Sequence, residues 1–153
     1  MSATRKIIEA YYDDDFQLIA IHSGMEDFSL AYSLNKDCEL QLKRTQNDLS
    51  YGKNLSFSMF DWEDEINQDY WVLFSNTCDQ QVGISEGLFV NDFSFKTDYL
   101  VPEQKEVDYF LRIDTENRAI TDAALKCINT IPKVVTAYAV DPNALKSKSN
   151  LIF

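Results

Sequence analysis

The segment that decides the fold reads Val101-Pro102-Glu103-Gln104-Lys105-Glu106-Val107-Asp108-Tyr109-Phe110-Leu111-Arg112-Ile113. Pro102 fixes its own φ and keeps Val101 extended, and the polar residues 103–106 then predict a turn. From residue 107 onward the side chains alternate as they do in a strand. The alternation assigns Val107, Tyr109, Leu111 and Ile113 to one face, and Asp108, Phe110 and Arg112 to the other. We therefore expect a charged turn followed by a core strand over residues 107–113.

The rest of the chain predicts an α+β domain with a mainly antiparallel sheet of about six or seven strands and two main helices. Residues 16–22 are apolar on both faces, which is typical of an interior strand. Residues 28–37 and 117–130 have helical spacing, with Asp27 as the cap of the first helix and Pro132 after the second. Further strands are predicted at residues 6–12, 39–43, 55–60, 70–74, 88–90, 95–101 and 134–140. Loops or turns are predicted at residues 13–15, 44–54, 61–69 and 76–87, and a short helical turn after residues 141–142. At this length, residues 1–153 are expected to form a single domain.

The chain is strongly acidic, since 14 basic and 25 acidic residues give a net charge of -11. Nucleic-acid binding rests on Lys and Arg displacing counterions from phosphates, and anionic membrane surfaces attract the same charges. We therefore expect no nucleic-acid partner and no membrane partner. No signal peptide is recognisable, and no apolar run approaches the ~18 residues that a membrane span needs. These features favour a cytoplasmic location.

The three cysteines, Cys38, Cys78 and Cys127, are far apart in the sequence. Their odd number and wide spacing predict neither a disulfide framework nor a zinc site. Cys38 is expected at the end of the first helix, and Cys127 on the second helix with its side chain in the core. Cys78 is expected in a loop, where the neighbouring acid keeps its thiol protonated. None of the three is predicted to be a nucleophile.

His22 is the only histidine of the chain and stands beside Ser23 at the end of a predicted strand. A general base at this position needs a nucleophile within hydrogen-bond reach, and the spacing indicates no triad. A structural histidine bonded to nearby backbone is favoured, so no catalytic residue is assigned. An enzyme that uses His22 as its base is the least favoured class.

Two acidic runs, residues 13–15 and 61–65, could gather oxygens around a cation. Neither has the alternating acids, the glycine and the closing glutamate of a calcium loop. Solvated turn tips are the favoured interpretation. No metal site and no cofactor are predicted.

The segment quoted above resembles the signature of the IPExxxVDY family of bacterial proteins, with Val101 in place of the leading Ile. The match is carried by Pro102-Glu103 and Val107-Asp108-Tyr109. Similarity extends to Asp15-Phe16, Leu18-Ile19, Leu34-Asn35-Lys36 and the last nine residues, 145–153. The resemblance implies a single-domain relative, and it implies no activity and no catalytic residue that could be assigned here.

These observations favour a non-enzymatic domain that binds a protein partner, either another protein or a second copy of the chain as a homodimer. The apolar end Leu151-Ile152-Phe153 and the ten Phe, eight Tyr and two Trp residues motivate this hypothesis, because aromatic side chains are enriched in interface cores. The alternative is a small-molecule binding domain with an aromatic pocket, lined by Tyr and Phe, between the helices and the sheet. The candidate binding residues are Glu103, Asp108 and Arg112, although a structural role in the turn and strand is favoured for them.

Overall fold

A computed structural model describes residues 16–51, 55–83 and 93–153. Its centre is a six-stranded sheet in the order β10-β1-β9-β6-β5-β2, with every neighbouring pair of these described strands antiparallel. The strands of this sheet are β1 (Gln17–Ser23), β2 (Lys43–Arg44), β5 (Met59–Asp64), β6 (Asp69–Ser75), β9 (Tyr109–Asp114) and β10 (Val134–Val140). Two hairpins lie apart from it in the hydrogen-bond pattern: β3 (Leu49–Tyr51) with β4 (Leu55–Phe57), and β7 (Thr77–Gly83) with β8 (Phe93–Tyr99).

Two α-helices, α1 (Asp27–Asp37) and α2 (Arg118–Ile128), pack on one face of the sheet within the described ranges. Leu30 and Leu34 of α1 and Ile128 of α2 meet Ile21 and Leu111 of the central strands there. This core confirms the predicted α+β class, the antiparallel sheet and the two helices. Asp27 is the first residue of α1 rather than its cap, and its carboxylate accepts a hydrogen bond from the Phe28 amide at 2.7 Å.

The opposite face of the sheet carries a second core. Phe74 and Phe110 stack there with ring centroids 5.8 Å apart, and the buried Phe57 of β4 belongs to the same cluster. Leu145 and Leu151, from the end of the chain, also pack into this cluster. Interior strands such as β1 are therefore apolar on both faces because each face contacts a separate core.

Residues 39–43 are not a strand of the sheet, contrary to the prediction, because β2 begins only at Lys43. Glu39 has a φ of 57°, which interrupts extended backbone. The side chain of Asn35 then takes up both backbone groups of Leu42, accepting from its amide at 2.8 Å and donating to its carbonyl at 3.0 Å. Leu40 and Leu42 are buried beside α1, so the alternation reflects burial and not strand pairing.

Several loops are shorter than predicted. The predicted connection 61–69 is mostly strand, since β5 runs to Asp64 and β6 starts at Asp69. The predicted loop 44–54 contains β3, and the predicted loop 76–87 begins with β7. These segments are polar, so they lack the apolar alternation by which a strand is recognised. The predicted strand 55–60 is divided at Ser58 into β4 and β5.

Strand β9 starts two residues later than predicted, at Tyr109. Val107 consequently packs with Phe110 in the second core, whereas Tyr109, Leu111 and Ile113 face the helices. The predicted helical turn after Asp141 is confirmed as a 3-10 helix, Pro142–Ala144. The predictions for residues 6–12, 13–15 and 88–90 lie outside the described residues. Neither described helix is both long and apolar enough to cross a membrane.

Candidate functional site

The β5–β6 hairpin carries two matched residue pairs on the face that meets the helices. Its register places Trp62 opposite Trp71 and Asp64 opposite Asp69. Trp62-Glu63-Asp64 on one strand is thus mirrored by Asp69-Tyr70-Trp71 on the other. Because side chains alternate along a strand, residues two apart share a face. A tryptophan pair and a carboxylate pair therefore lie side by side.

The two tryptophans pack against each other, with ring centroids 6.1 Å apart and planes inclined by 26°. Trp71 is 4% exposed and belongs to the core beneath the helices, and the half-buried Trp62 packs against that core. The pair therefore joins the hairpin to the core beneath the helices.

Asp64 is committed to the turn of the hairpin. Its carboxylate accepts hydrogen bonds from the Ile66 and Asn67 amides at 3.2 and 3.3 Å, and from the Asn67 side chain at 2.7 Å. The hydrogen bond from the Asn67 side chain holds the pKa of Asp64 below its usual value, against the opposing effect of burial. Asp64 is therefore ionised at neutral pH.

Asp69 and Trp71 differ from Asp64 in having buried polar atoms without partners. Asp69 is 5% exposed, and neither its Oδ2 nor Trp71 Nε1 makes a hydrogen bond to any part of the chain that the structure describes. A buried polar group left unpaired costs roughly 1–3 kcal/mol. Native proteins rarely leave such groups unsatisfied, and here both atoms are enclosed by the surrounding protein.

A cavity of about 400 Å³ lies against this wall, between the hairpin and the two helices. We call it the Trp pocket. It is lined by Asp37, Cys38, Glu39, Leu40, Trp62, Asp64, Asn67, Asp69, Trp71, Ile120, Ala123, Ala124 and Cys127.

A disulfide between Cys38 and Cys127 forms part of the lining, with the two Cα atoms 5.7 Å apart. It joins the residue after α1 to the last turn of α2 across a sequence separation of 89 residues. The sequence predicted no disulfide framework, and it did not reveal this single bond. Sequence spacing does not limit a disulfide, because only the approach of the two Cα atoms in the fold decides it.

Glu103, the first predicted binding residue, bonds to the carboxyl-terminal segment. Its Oε1 accepts from the Ser147 amide at 3.0 Å, and its Oε2 accepts from the Ser147 hydroxyl. Burial raises the pKa of Glu103, but the bonds from Ser147 outweigh that effect and lower the pKa below its usual value. The carboxylate holds two distant parts of the chain together.

Asp108 and Arg112, the other two predicted residues, do not meet. Asp108 Oδ2 accepts from the Ser23 amide at 2.9 Å, at the end of β1. Arg112 is 3% exposed and donates to both carboxylate oxygens of Asp114, at 2.8 and 3.0 Å, and to the Leu151 carbonyl at 2.6 Å. The ionic partner of Arg112 is therefore Asp114, two residues along the same strand. A binding role for Glu103, Asp108 and Arg112 stays a prediction.

Asn76, which the sequence did not single out, organises the segment that precedes β9. It is completely buried, and its Nδ2 donates to the carbonyls of Gln104 and Val107, both at 2.9 Å. Its Oδ1 accepts from the Val101 amide at 2.8 Å. The turn therefore takes its shape from one amide side chain, which lies between β6 and β7.

The remaining candidates are placed apart from the Trp pocket. His22 Nε2 lies 3.0 Å from the Tyr138 hydroxyl, so its recorded partner is a side chain and not the predicted backbone. The Ser23 hydroxyl donates to the Lys133 carbonyl at 2.9 Å. Cys78 is a free thiol in strand β7 rather than in a loop.

Sequence reasoning missed the Trp pocket because it read residues 61–69 as a solvated tip. The signal that could have revealed it is the mirrored spacing of Trp62 and Asp64 with Asp69 and Trp71. Comparison with protein-family models and with curated proteins finds no match to the chain. The resemblance to the IPExxxVDY family accordingly stays a prediction.

Proposed function

We propose that the protein is a binding domain that takes a small organic ligand in the Trp pocket. The observation that carries the proposal is the packed pair of Trp62 and Trp71 in the lining of a cavity of about 400 Å³. This volume is within the range of small-molecule sites, which combine apolar walls with a few convergent polar groups. This supports the alternative hypothesis from the sequence, a small-molecule binding domain with an aromatic pocket. The aromatic residues of the pocket are Trp, whereas the sequence predicted Tyr and Phe.

The aromatic wall supports the same function. Trp62 and Trp71 are held by each other and by the core beneath the helices, so their ring surfaces are fixed before a ligand arrives. A preorganised site loses less conformational entropy on binding than a flexible one does. The disulfide fixes the opposite side by joining α1 to α2.

The test uses the intrinsic fluorescence of the protein, because the only two tryptophans of the chain both line the pocket. A chemically diverse fragment library is screened for compounds that change the emission and raise the melting temperature, since a ligand that binds only the folded state stabilises it. Compounds that do both support the proposal.

A variant that fills the Trp pocket tests whether the compounds bind there. Ala123 is exposed and lines the pocket, so Ala123→Phe fills the mouth without entering the core. Ala119→Phe is the matched control, because Ala119 is exposed on the same helix and outside the lining. Hits that bind Ala123→Phe and the wild type equally well would place the ligand elsewhere and refute the proposal.

A second candidate is the binding of a protein partner, or of a second copy of the chain, through α1. Phe28 and Tyr32 stand four residues apart on this helix and are 60% and 67% exposed. They border a groove of about 670 Å³ that Ile131 and Pro132 also line. Light scattering of the wild type and of Phe28→Ala/Tyr32→Ala across a concentration range tests the homodimer. A wild type that stays monomeric removes the homodimer, and pull-down with both forms then tests other partners.

The cytoplasmic location and the absence of enzymatic activity remain part of this proposal. The strongly acidic composition supports the location. The disulfide argues against a cytoplasmic location, because such bonds persist mainly in oxidising compartments. Free thiols can be labelled in cell lysate prepared under acid quench. The number of labelled cysteines shows whether Cys38 and Cys127 are oxidised or reduced in the cell.

A further inference from the structure

We infer that the partner of α1 is a second copy of the chain, and that the two α1 helices pack antiparallel across a two-fold axis. This pairing rests on the second candidate function, the binding of a partner through α1, and it does not depend on the Trp pocket. In such a dimer the amino end of each α1 lies beside the carboxyl end of the other.

The outer face of α1 carries an aromatic patch. Leu30, Ala31 and Leu34 of this helix are buried in the core. Phe28 and Tyr32 lie outside that core, and both side chains are mostly exposed. Residues four apart in a helix are neighbours on its surface, so the two rings form one continuous patch. Contiguous exposed apolar surface is typical of an interaction site.

The patch borders a groove that can receive the same two rings from a second copy. The groove has a volume of about 670 Å³ and is lined mainly by α1 and by residues 131–133. Ser29 and Ser33 belong to this lining, and their short side chains leave room beside the large rings of Phe28 and Tyr32. A two-fold interface uses one surface on both subunits, so that surface has to be complementary to itself. Protruding rings beside a groove meet this condition.

The two ends of α1 carry opposite charges that are available to a partner. Glu26 precedes the first turn and Lys36 lies in the last turn, and both residues are exposed. Asp27, the other acid at the first end, already pairs with Arg44 at 3.2 Å. Among the described residues, Glu26 and Lys36 have no ion-pair partner within the chain.

These charges favour antiparallel over parallel packing. A two-fold axis at the level of Ala31, halfway between Glu26 and Lys36, sets Glu26 of each copy opposite Lys36 of the other. The same axis brings the two aromatic patches together, because Phe28 and Tyr32 flank that level. A parallel pair would instead place like charges side by side, which is repulsive. The partial charges of the helix ends are also of opposite sign where two antiparallel helices meet.

The overall charge of the protein makes the two local ion pairs important. Each chain carries a net charge of -11, so two copies repel each other at long range. The aromatic surface supplies the attraction, and the ion pairs fix the direction of packing. Reversal of the charge at Glu26 or Lys36 changes both ion pairs at once, because every residue occurs twice at a two-fold interface.

The experiment uses full-length Glu26→Lys and Lys36→Glu, separately and as an equimolar mixture. Light scattering and sedimentation over a concentration range supply the dissociation constants. Each variant alone turns both ion pairs into contacts between like charges, so its dimer is expected to bind about tenfold or more weakly than the wild type. In the mixture every such contact is again between unlike charges, so we expect a heterodimer with about the wild-type affinity. Isotope labelling of one variant identifies the heterodimer by native mass spectrometry.

Glu116→Lys and Lys126→Glu are the matched controls. Both residues are exposed, before the first turn and in the last turn of α2, and neither lines the α1 groove. Their variants change the net charge, and the charge at the ends of a helix, by the same amounts as the test variants. They should keep the wild-type affinity within about twofold at physiological ionic strength, where long-range repulsion is screened.

Milder variants keep the test usable if a charge reversal prevents folding. Glu26→Gln and Lys36→Gln then replace the reversals, and each should weaken the dimer more than Glu116→Gln does. Equal effects of the α1 and α2 substitutions would reduce the result to net charge and overturn the pairing.

The remaining outcomes separate the pairing from the function on which it rests. A wild type that stays monomeric at all concentrations overturns the pairing and leaves α1 to other protein partners. A wild-type dimer that Phe28→Ala/Tyr32→Ala does not weaken uses another surface, so the α1 function and the pairing fail together. If that double variant abolishes the dimer while the charge mixture does not regain affinity, the antiparallel arrangement fails alone.

Discussion

The side chain of Asn76 and the carbonyl of Val107 are joined by a buried hydrogen bond of 2.9 Å. The backbone of Asn76 reinforces it, because its amide donates to the Asp108 carbonyl at 3.0 Å and its carbonyl accepts from the Leu100 amide at 2.9 Å. One residue after β6 thus contacts both ends of the turn that leads into β9. The turn is held by a residue outside it as well as by its own proline.

Replacement of Asn76 by Ala is expected to lower the free energy of unfolding by about 3 kcal/mol. The change removes three side-chain hydrogen bonds and leaves the Val101 amide and the Val107 carbonyl unpaired, at roughly 1–3 kcal/mol for a buried group, whereas the Gln104 carbonyl keeps its bond from the Val107 amide. Urea denaturation measures the loss. Asn150→Ala is the control, because it removes one bond, to the Leu100 carbonyl, and should cost about 1 kcal/mol. Equal losses in the two variants would contradict the central role of Asn76.

Leu151→Ala is expected to destabilise the monomer by about 3 kcal/mol, since the side chain is completely buried in the second core. Arg112 donates to the carbonyl of the same residue. Val135→Ala, at a position 81% exposed, should change stability by less than about 0.5 kcal/mol. Thermal unfolding measured at several protein concentrations distinguishes this intrachain effect from the loss of a dimer. A melting temperature that falls on dilution in the wild type and not in Leu151→Ala would assign the residue to an interface.

Reduction of the Cys38–Cys127 disulfide is expected to lower stability by about 4 kcal/mol, because the bond closes a loop of roughly 90 residues. The double variant Cys38→Ser/Cys127→Ser should show a similar loss. Cys78→Ser keeps the disulfide and is the control. Thiol titration in denaturant should count one free thiol before reduction and three after it. Three thiols in protein purified without reductant would show that the bond does not form under those conditions.

Alkaline pH is expected to destabilise the fold partly through Tyr109. Its hydroxyl donates to the Met25 carbonyl at 2.7 Å, and burial, with the charges of Asp27 and Asp108 adding to it, raises its pKa to about 12. The unfolded chain ionises near the usual value of about 10. The neutral phenol therefore contributes its full stability below pH ~10 and loses it as the pH rises toward 12.

Tyr109→Phe should lower stability at neutral pH by about 1 kcal/mol through the lost hydrogen bond. Its stability should then fall less steeply than that of the wild type between pH 10 and 12. Tyr32→Phe, at an exposed site, should leave both quantities unchanged. Denaturation curves across this range supply the measurement. Parallel pH profiles for the wild type and Tyr109→Phe would refute the assignment.

The α+β class, the two helices and the central strands could be predicted because periodicity reports burial directly. Residues 16–22 are apolar on both faces, and β1 is covered on both faces. The same relationship between periodicity and burial led to a wrong strand prediction at Leu40 and Leu42. These residues alternate with polar residues and are buried, but they do not pair with another strand. Alternation alone does not distinguish the two cases. The polar strand β7 lacks the pattern and escaped notice.

The candidate site could not be predicted from the sequence, because it depends on the register of strand pairing and on contacts between residues that are far apart in the chain. Asp64 and Asp69 appear in the sequence as charges near a turn, and only the pairing of β5 with β6 turns them inward beside Trp62 and Trp71. Cys38 and Cys127 meet only once both helices lie on the sheet. Glu103, Asp108 and Arg112 were found as polar residues in a recognisable segment, but three of their partners, Ser23, Ser147 and Leu151, come from elsewhere in the chain.

The disulfide in the wall of the Trp pocket has a thermodynamic consequence. If the ligand binds the oxidised and reduced forms with different affinities, it must shift the midpoint of the thiol–disulfide equilibrium by the same factor. A tenfold preference for the oxidised form would correspond to about 30 mV for this two-electron couple. Ligand binding and the redox state of Cys38 and Cys127 would then be coupled. A shift in the midpoint potential would report the difference in affinity, and a difference in affinity would report the shift.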